Sequence, residues 1–191
     1  AKAPATSGKA SPDSHFKWTK TYDGNHWRLA KYVGPGGDVV IPETHEGQTV
    51  VAIGEEAFCD NRNIVSVTMP KTMEVIGVKA FYACRTLKSV TFGRDTDHIC
   101  RDAFSYCPEL KSVVLNDGFT NLGDSAFASC MSLETVSLPS SVKEMGEHPF
   151  LSCENLSAIS FRGKPNMAKF NKGWDIKVKK LFPKRFDVKF S

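Results

Sequence analysis

The residues best able to do chemistry in this 191-residue chain are six cysteines and five histidines. Thiolates could pair as disulfides, bind zinc or attack a substrate, and imidazoles could bind a metal or move protons. Their spacing points elsewhere. Cys84, Cys107, Cys130 and Cys153 stand 23 residues apart, with no C-x-x-C and no histidine keeping the same period. Disulfides need Cβ atoms roughly 3.5 to 4.5 Å apart and a particular dihedral, which parallel side chains on successive turns of a repeat miss. The pattern favours a ladder of free thiols packed as small hydrophobes over a disulfide or zinc reading. Cys59 and Cys100 fall off the column, Cys100 standing where other copies carry Gly. His15, His26, His45, His98 and His148 share no period and no H-E-x-x-H. Asp95-Thr96-Asp97-His98 lacks the Gly and distal Glu of a calcium loop and reads as a solvated loop. Gly34-Pro35-Gly36-Gly37 has no strand–loop–helix context, and there is no G-x-S-x-G. No catalytic, cofactor-binding or metal-binding set can be assembled, so the chain reads as a non-enzyme without cofactors.

What positions the cysteines is a repeat. Phe58, Phe81, Phe104, Phe127 and Phe150 recur every 23 residues without slippage. A small residue precedes each: Ala57, Ala80, Ala103, Ala126 and Pro149. Five positions upstream stand Ile53, Ile76, Ile99, Leu122 and Met145, usually followed by Gly. Downstream come Ile64, Leu87, Leu110, Leu133 and Leu156, then Val67, Val90, Val113, Val136 and Ile159, then Met69, Phe92, Leu115, Leu138 and Phe161. A fixed period of this length signals a solenoid, because one short unit cannot bury its own apolar face. The segment Leu87-x-x-Val90-x-Phe92 alternates as a strand does, so the copies predict parallel strands about 4.8 Å apart. The return segment around Gly77 to Cys84 predicts a loop with one short helical turn.

The unit Ile-Gly-x-x-Ala-Phe-x-x-Cys-x-x-Leu-x-x-Val-x-(Leu/Phe) resembles the BspA-like, or treponemal-class, leucine-rich repeat. Val39-Val40-Ile41-Pro42-Glu43-Thr44-x-x-Gly47-x-x-Val50 resembles the opening segment of that family. The likeness covers residues 27–162. It implies a right-handed, β-rich leucine-rich repeat solenoid, with parallel strands on the concave face, loops and short helical turns on the convex face, and β-hairpin caps. It implies an exported bacterial protein, at the cell surface, secreted or periplasmic, engaged in protein–protein interaction and often in adhesion to host matrix, with no catalysis.

The chain divides into a disordered N-terminal tether (1–14), an N-terminal β-cap and half-repeat (15–52), five repeats (53–161) and a basic C-terminal β-cap (162–191). Asp23-Gly24-Asn25 is a hairpin turn between two aromatic strands, and Phe16, Trp18, Trp27, Leu29 and Tyr32 form a lid on the first copy. At the far end, residues 175–179 and 185–190 alternate as two strands around Pro183 and predict a capping hairpin. No apolar run is long enough to span a membrane, and no signal-peptide core is visible. Charge is unevenly spread. Residues 162–191 hold ten Lys or Arg against two Asp, a net +8, while the rest carries 15 basic and 19 acidic residues, a net −4.

Three surfaces compete as binding sites. The outward columns of the strands place Lys88, Ser89, Thr91, Lys111, Ser112, Val114, Glu134, Thr135 and Ser137 on the concave face, a flat Ser/Thr-rich surface suited to an extended protein partner such as a host matrix or cell-surface protein. Tyr82 and Tyr106, in the loops after Phe81 and Phe104, are a second candidate. Lys179, Lys180, Lys184 and Arg185 in the basic end suit a polyanion, either a heparin-like glycosaminoglycan or an anionic membrane. A periplasmic scaffold or homo-oligomer is the remaining reading. Nothing points to nucleic acid.

Overall fold

The structure, a computed structural model, describes residues 9–166, 170 and 187–190. Strands β1 (Phe16–Lys20) and β2 (Trp27–Tyr32) pair antiparallel across the Asp23-Gly24 turn. From β2 onward the chain winds as a solenoid. One parallel ladder runs β2, β5 (Gln48–Ile53), β7 (Val75–Ile76), β9 (His98–Ile99), β11 (Asn121–Leu122) and β13 (Glu144–Met145). The L-x-x-L-x-L strands form the other side: β3 (Gly37–Val40), β6 (Ile64–Thr68) and β8 (Ser89–Thr91) in one sheet; β10 (Ser112–Val114), β12 (Thr135–Pro139), β14 (Ala158–Arg162) and β15 (Asp187–Phe190) in another. The remaining β4 (Thr44–His45) pairs antiparallel with β5.

The phenylalanines stack through the middle. Tyr32 closes the column over Phe58 at 4.9 Å, and successive Phe rings follow at 4.5, 4.9, 5.1 and 5.9 Å, with interplanar angles of 15° or less. All five are essentially fully buried. The N-terminal lid forms as the aromatic pattern implies: Phe16, Leu29 and Tyr32 are buried, and Trp18 and Trp27 pack partly against the core. Alongside the stack the four column cysteines are buried and free. Each thiol donates to the carbonyl of a Phe in the preceding turn: Cys84 to Phe58, Cys107 to Phe81, Cys130 to Phe104 and Cys153 to Phe127, at 3.1 to 3.2 Å. Burial pushes the thiols of Cys107 and Cys153 well above the ordinary value.

The return segment is not a helical turn. It is a run of consecutive turns whose N–H groups alternate between partners. In the first copy Ala57, Cys59 and Asn61 bond back three residues to Gly54, Glu56 and Phe58, while Glu56, Phe58 and Asp60 bond across to Val78, Ala80 and Tyr82 of the next copy. This weave puts Glu56 and Asp60 at positive φ, and the same two positions are left-handed in all five copies. Only one short 3-10 helix, Asp13–His15, occurs among the described residues.

The Gly column explains how closely the copies approach. A Cβ on Gly77 would meet the Ile53 carbonyl oxygen at 2.7 Å, and one on Gly123 would meet the Arg101 nitrogen at 2.5 Å. At the C-terminal end the strict spacing relaxes. Phe170 bridges Met145, 25 residues on rather than 23. Strand β15 lies parallel to β14, Asp187 beside Ala158. It thus extends the sheet by one strand. The other strand expected there, 175–179, lies outside the described residues.

Candidate protein-binding face

The β6–β8–β10–β12–β14 side is built by alternation. Inward side chains such as Leu87, Leu110 and Leu133 are fully buried, which fixes the residues between them outward. One backbone hydrogen bond per turn aligns the first outward column: Lys88 to Val65 at 2.8 Å, Lys111 to Lys88 at 3.3 Å, Glu134 to Lys111 at 2.9 Å and Ser157 to Glu134 at 3.1 Å, each N–H to carbonyl. Strand register aligns the others, Ser66 with Ser89, Thr68 with Thr91, Ser112 with Thr135 and Val114 with Ser137. Lys88, Ser89, Thr91, Lys111, Ser112, Val114, Glu134, Thr135 and Ser137 all lie along these strands or at their entry. Lys88, Ser89, Lys111, Ser112, Val114, Glu134 and Thr135 are exposed; Thr91 and Ser137 are half-buried.

The face has few large side chains and little internal charge pairing. Among the described residues Lys88, Lys111 and Glu134 form no ion pair, so their charges are available to a partner. Val65 and Val114 add exposed apolar patches at 37 and 38 % exposure. Arg162 is a contributor the sequence did not announce. Its guanidinium reaches back across two turns, donating to the Ser137 hydroxyl at 2.9 Å and the Leu115 carbonyl at 2.5 Å while pairing with Asp117 at 3.1 Å. Its distance from its partners in sequence, 45 residues to Asp117, hid it.

The ladder is interrupted in one place. No strand pairing joins β8 to β10, and Val90 is only half-buried where Val67 and Val113 are buried. Two departures from the repeat fall at this junction. Lys88 and Lys111 sit side by side, and like charges facing across a ladder repel. On the opposite side of the same two turns Cys100 stands in the Gly column, where a side chain must be fitted between closely approaching backbones. The Phe92 carbonyl that the missing ladder would use accepts from the Asn116 side chain instead, at 3.1 Å.

The other sequence candidates separate from this face. Tyr82 and Tyr106 meet edge to face, 5.4 Å between centroids, on the turn segments. Lys179, Lys180, Lys184 and Arg185 lie outside the described residues. No group of three His, Cys, Asp or Glu side chains converges among the described residues. In the Asp95–His98 loop, Asp97 pairs with His98 at 2.7 Å and the buried Thr96 hydroxyl bonds the Met73 carbonyl.

Comparison with known proteins defines the class first. The BspA type leucine rich repeat region matches residues 50–172 in six copies, and the chain belongs to that family. Among solved structures, a leucine rich repeat protein of T. pallidum is 26 % identical with a TM-score of 0.81, over 95 % of this chain and 82 % of that one. A leucine rich cell surface protein of Faecalibacterium prausnitzii is 28 % identical with a TM-score of 0.51, over 83 % of this chain and 56 % of that one. The pneumococcal vaccine antigen PcpA shares the fold at 15 % identity, TM-score 0.64, over 90 % of this chain and 45 % of its own. A search of curated proteins finds no match. Leucine-rich repeat proteins are generally protein-interaction modules and scaffolds rather than catalysts.

Proposed function

We propose that this chain is an exported adhesion module that binds a host-matrix or cell-surface protein through Lys88, Ser89, Thr91, Lys111, Ser112, Val114, Glu134, Thr135 and Ser137. The observation that carries the reading is the strand face itself. Three charged side chains stand there without ion-pair partners among the described residues, on a bed of Ser, Thr and Val backed by the stacked core. Rigid placement lowers the ordering cost of binding, and the shallow surface suits an extended segment or the edge of another protein. Export is supported by the family and by the description of the F. prausnitzii neighbour as a cell surface protein.

A second reading rests on charge. The net +8 of residues 162–191 suits a heparin-like glycan or an anionic membrane, with Lys179, Lys180, Lys184 and Arg185 as contacts. Salt separates the two. Binding by the basic end collapses between low and physiological salt. Binding by the strand face, with its few charges, persists. The test is titration of the chain against matrix proteins and heparin at both salt concentrations; heparin binding alone would transfer the function to the basic end.

A further inference from the structure

The turn side of the solenoid carries a groove of about 380 Å³ lined by Tyr82, Arg85, Tyr106, Pro108, Ser129 and Met131. Tyr106 and Met131, 53 and 46 % exposed, are two of the few large apolar side chains left uncovered. Neither serves the stack. Tyr106 also holds φ +59, in a column whose other members are Asp60, Ala83, Ser129 and Ser152. A bulky residue in left-handed backbone is strained, and here the strain places an aromatic ring in the open. The groove has no carboxylate in its wall. Its one cation, Arg85, is exposed and forms no ion pair among the described residues. Such a site fits an aromatic ring accompanied by a carboxylate.

The same molecule presents that pair. Tyr22, at the tip of the β1–β2 hairpin, is fully exposed and packs on nothing among the described residues. Asp23 follows it. The Thr21 hydroxyl at 2.5 Å and the Asn25 N–H at 3.1 Å bond its carboxylate and hold it below the usual carboxyl range, so it is ionised at neutral pH. The tip is fixed by backbone bonds from Thr21 to His26 and from Gly24 to Thr21, so little order is lost on docking.

We propose that the Tyr22–Asp23 tip of one copy docks in the Tyr82–Tyr106–Met131 groove of a second copy, with the Asp23 carboxylate against the Arg85 guanidinium. Since Tyr22 stands clear of the described residues of its own molecule, the contact is placed between molecules. Tip and groove are different surfaces, so the contact either closes reciprocally in a two-fold dimer or propagates head to tail as a chain or larger ring. A single hairpin tip buries less than a standard interface of roughly 1,600 Å², which puts the contact in the weak, transient class.

Sedimentation velocity on the full chain tests this. The wild type should show a weight-average sedimentation coefficient that rises with concentration from that of a monomer to that of a dimer or larger species. Tyr22→Ser, which removes the tip, and Arg85→Glu, which spoils the groove, should each sediment as monomers. Both positions are exposed, and unchanged melting temperatures confirm the variants fold. Mixed in equal amounts, the two should recover association that stops at a 1:1 dimer, because one copy retains only a groove and the other only a tip. A wild type that stays monomeric at about 1 mM, association that survives in either variant, or a mixture that stays monomeric would each overturn the proposal.

Discussion

Two columns of this solenoid lie two residues apart in every turn and behave in opposite ways. Phe58, Phe81, Phe104, Phe127 and Phe150 are one residue type repeated, buried and stacked at 4.5 to 5.9 Å. Asp60, Ala83, Tyr106, Ser129 and Ser152 share a left-handed backbone but no chemistry. The first column is what the stack requires; the second is held in place by the stack and free to vary. Residues that repeat hold the solenoid together, and residues that break the repeat without packing into it are where recognition can be placed. The strand face obeys the same division: Leu87, Leu110 and Leu133 repeat inward, while Lys88, Lys111 and Glu134 change sign outward.

That division can be broken most forcefully at Phe104, whose ring lies between Phe81 and Phe127 and meets Phe92 edge-on at 5.7 Å. Phe104→Ala should cost about 3 to 5 kcal/mol, a large share of a typical domain's stability, by urea unfolding. A smaller loss is expected from Gly123→Ala, because its Cβ would lie 2.6 Å from the Cys100 carbonyl carbon. Forcing the turns apart should cost about 1 to 3 kcal/mol. Unfolding midpoints measured in parallel would rank the two.

The thiol ladder sharpens the comparison through pH. Cys107 and Cys153 have folded pKa values raised above the ordinary 9.0 by burial. Their contribution is therefore fully present below that value and is lost as pH rises above it, where unfolded thiols ionise and folded ones do not. Stability of the wild type should fall above about pH 9 more steeply than that of a Cys107→Ala, Cys153→Ala variant, which starts lower. Native alkylation should label the half-buried Cys59 and Cys100 before the four ladder cysteines. The smallest effect belongs to the variable column: Tyr106→Asn relieves left-handed strain while giving up the contact with Tyr82, and should change stability by no more than about 0.5 kcal/mol.

Much of the fold was legible because identical residues recur at one spacing. The Phe, Ala, Cys, Leu and Val columns, the lid residues and the hairpin at Asp23-Gly24 could be read directly. A further core column could not. Val50, Met73, Thr96, Phe119 and Val142 are all buried at 23-residue intervals, yet only the two end members are the same residue type, and Thr96 is there because its hydroxyl finds the Met73 carbonyl. The β7–β9–β11–β13 ladder was also hidden, since two-residue strands such as Val75–Ile76 are too short to show alternation. The return segment gave no left-handed signature, because Glu56, Lys79, Asp102, Ser125 and His148 are not glycines; in the first four an N–H bond to the next turn holds the backbone there. The strand face itself was legible from alternation, whereas the break between β8 and β10 depends on how two turns fit and Arg162 on chain return.

The most direct test of the account is binding of the purified chain to a panel of matrix proteins at physiological salt, beside the triple variant Lys88→Glu, Lys111→Glu, Glu134→Lys. Saturable binding to at least one matrix protein is expected, weakened about tenfold or more in the variant, with a melting temperature within a few degrees of wild type. No binding across the panel, or binding that the triple variant leaves intact, would contradict it.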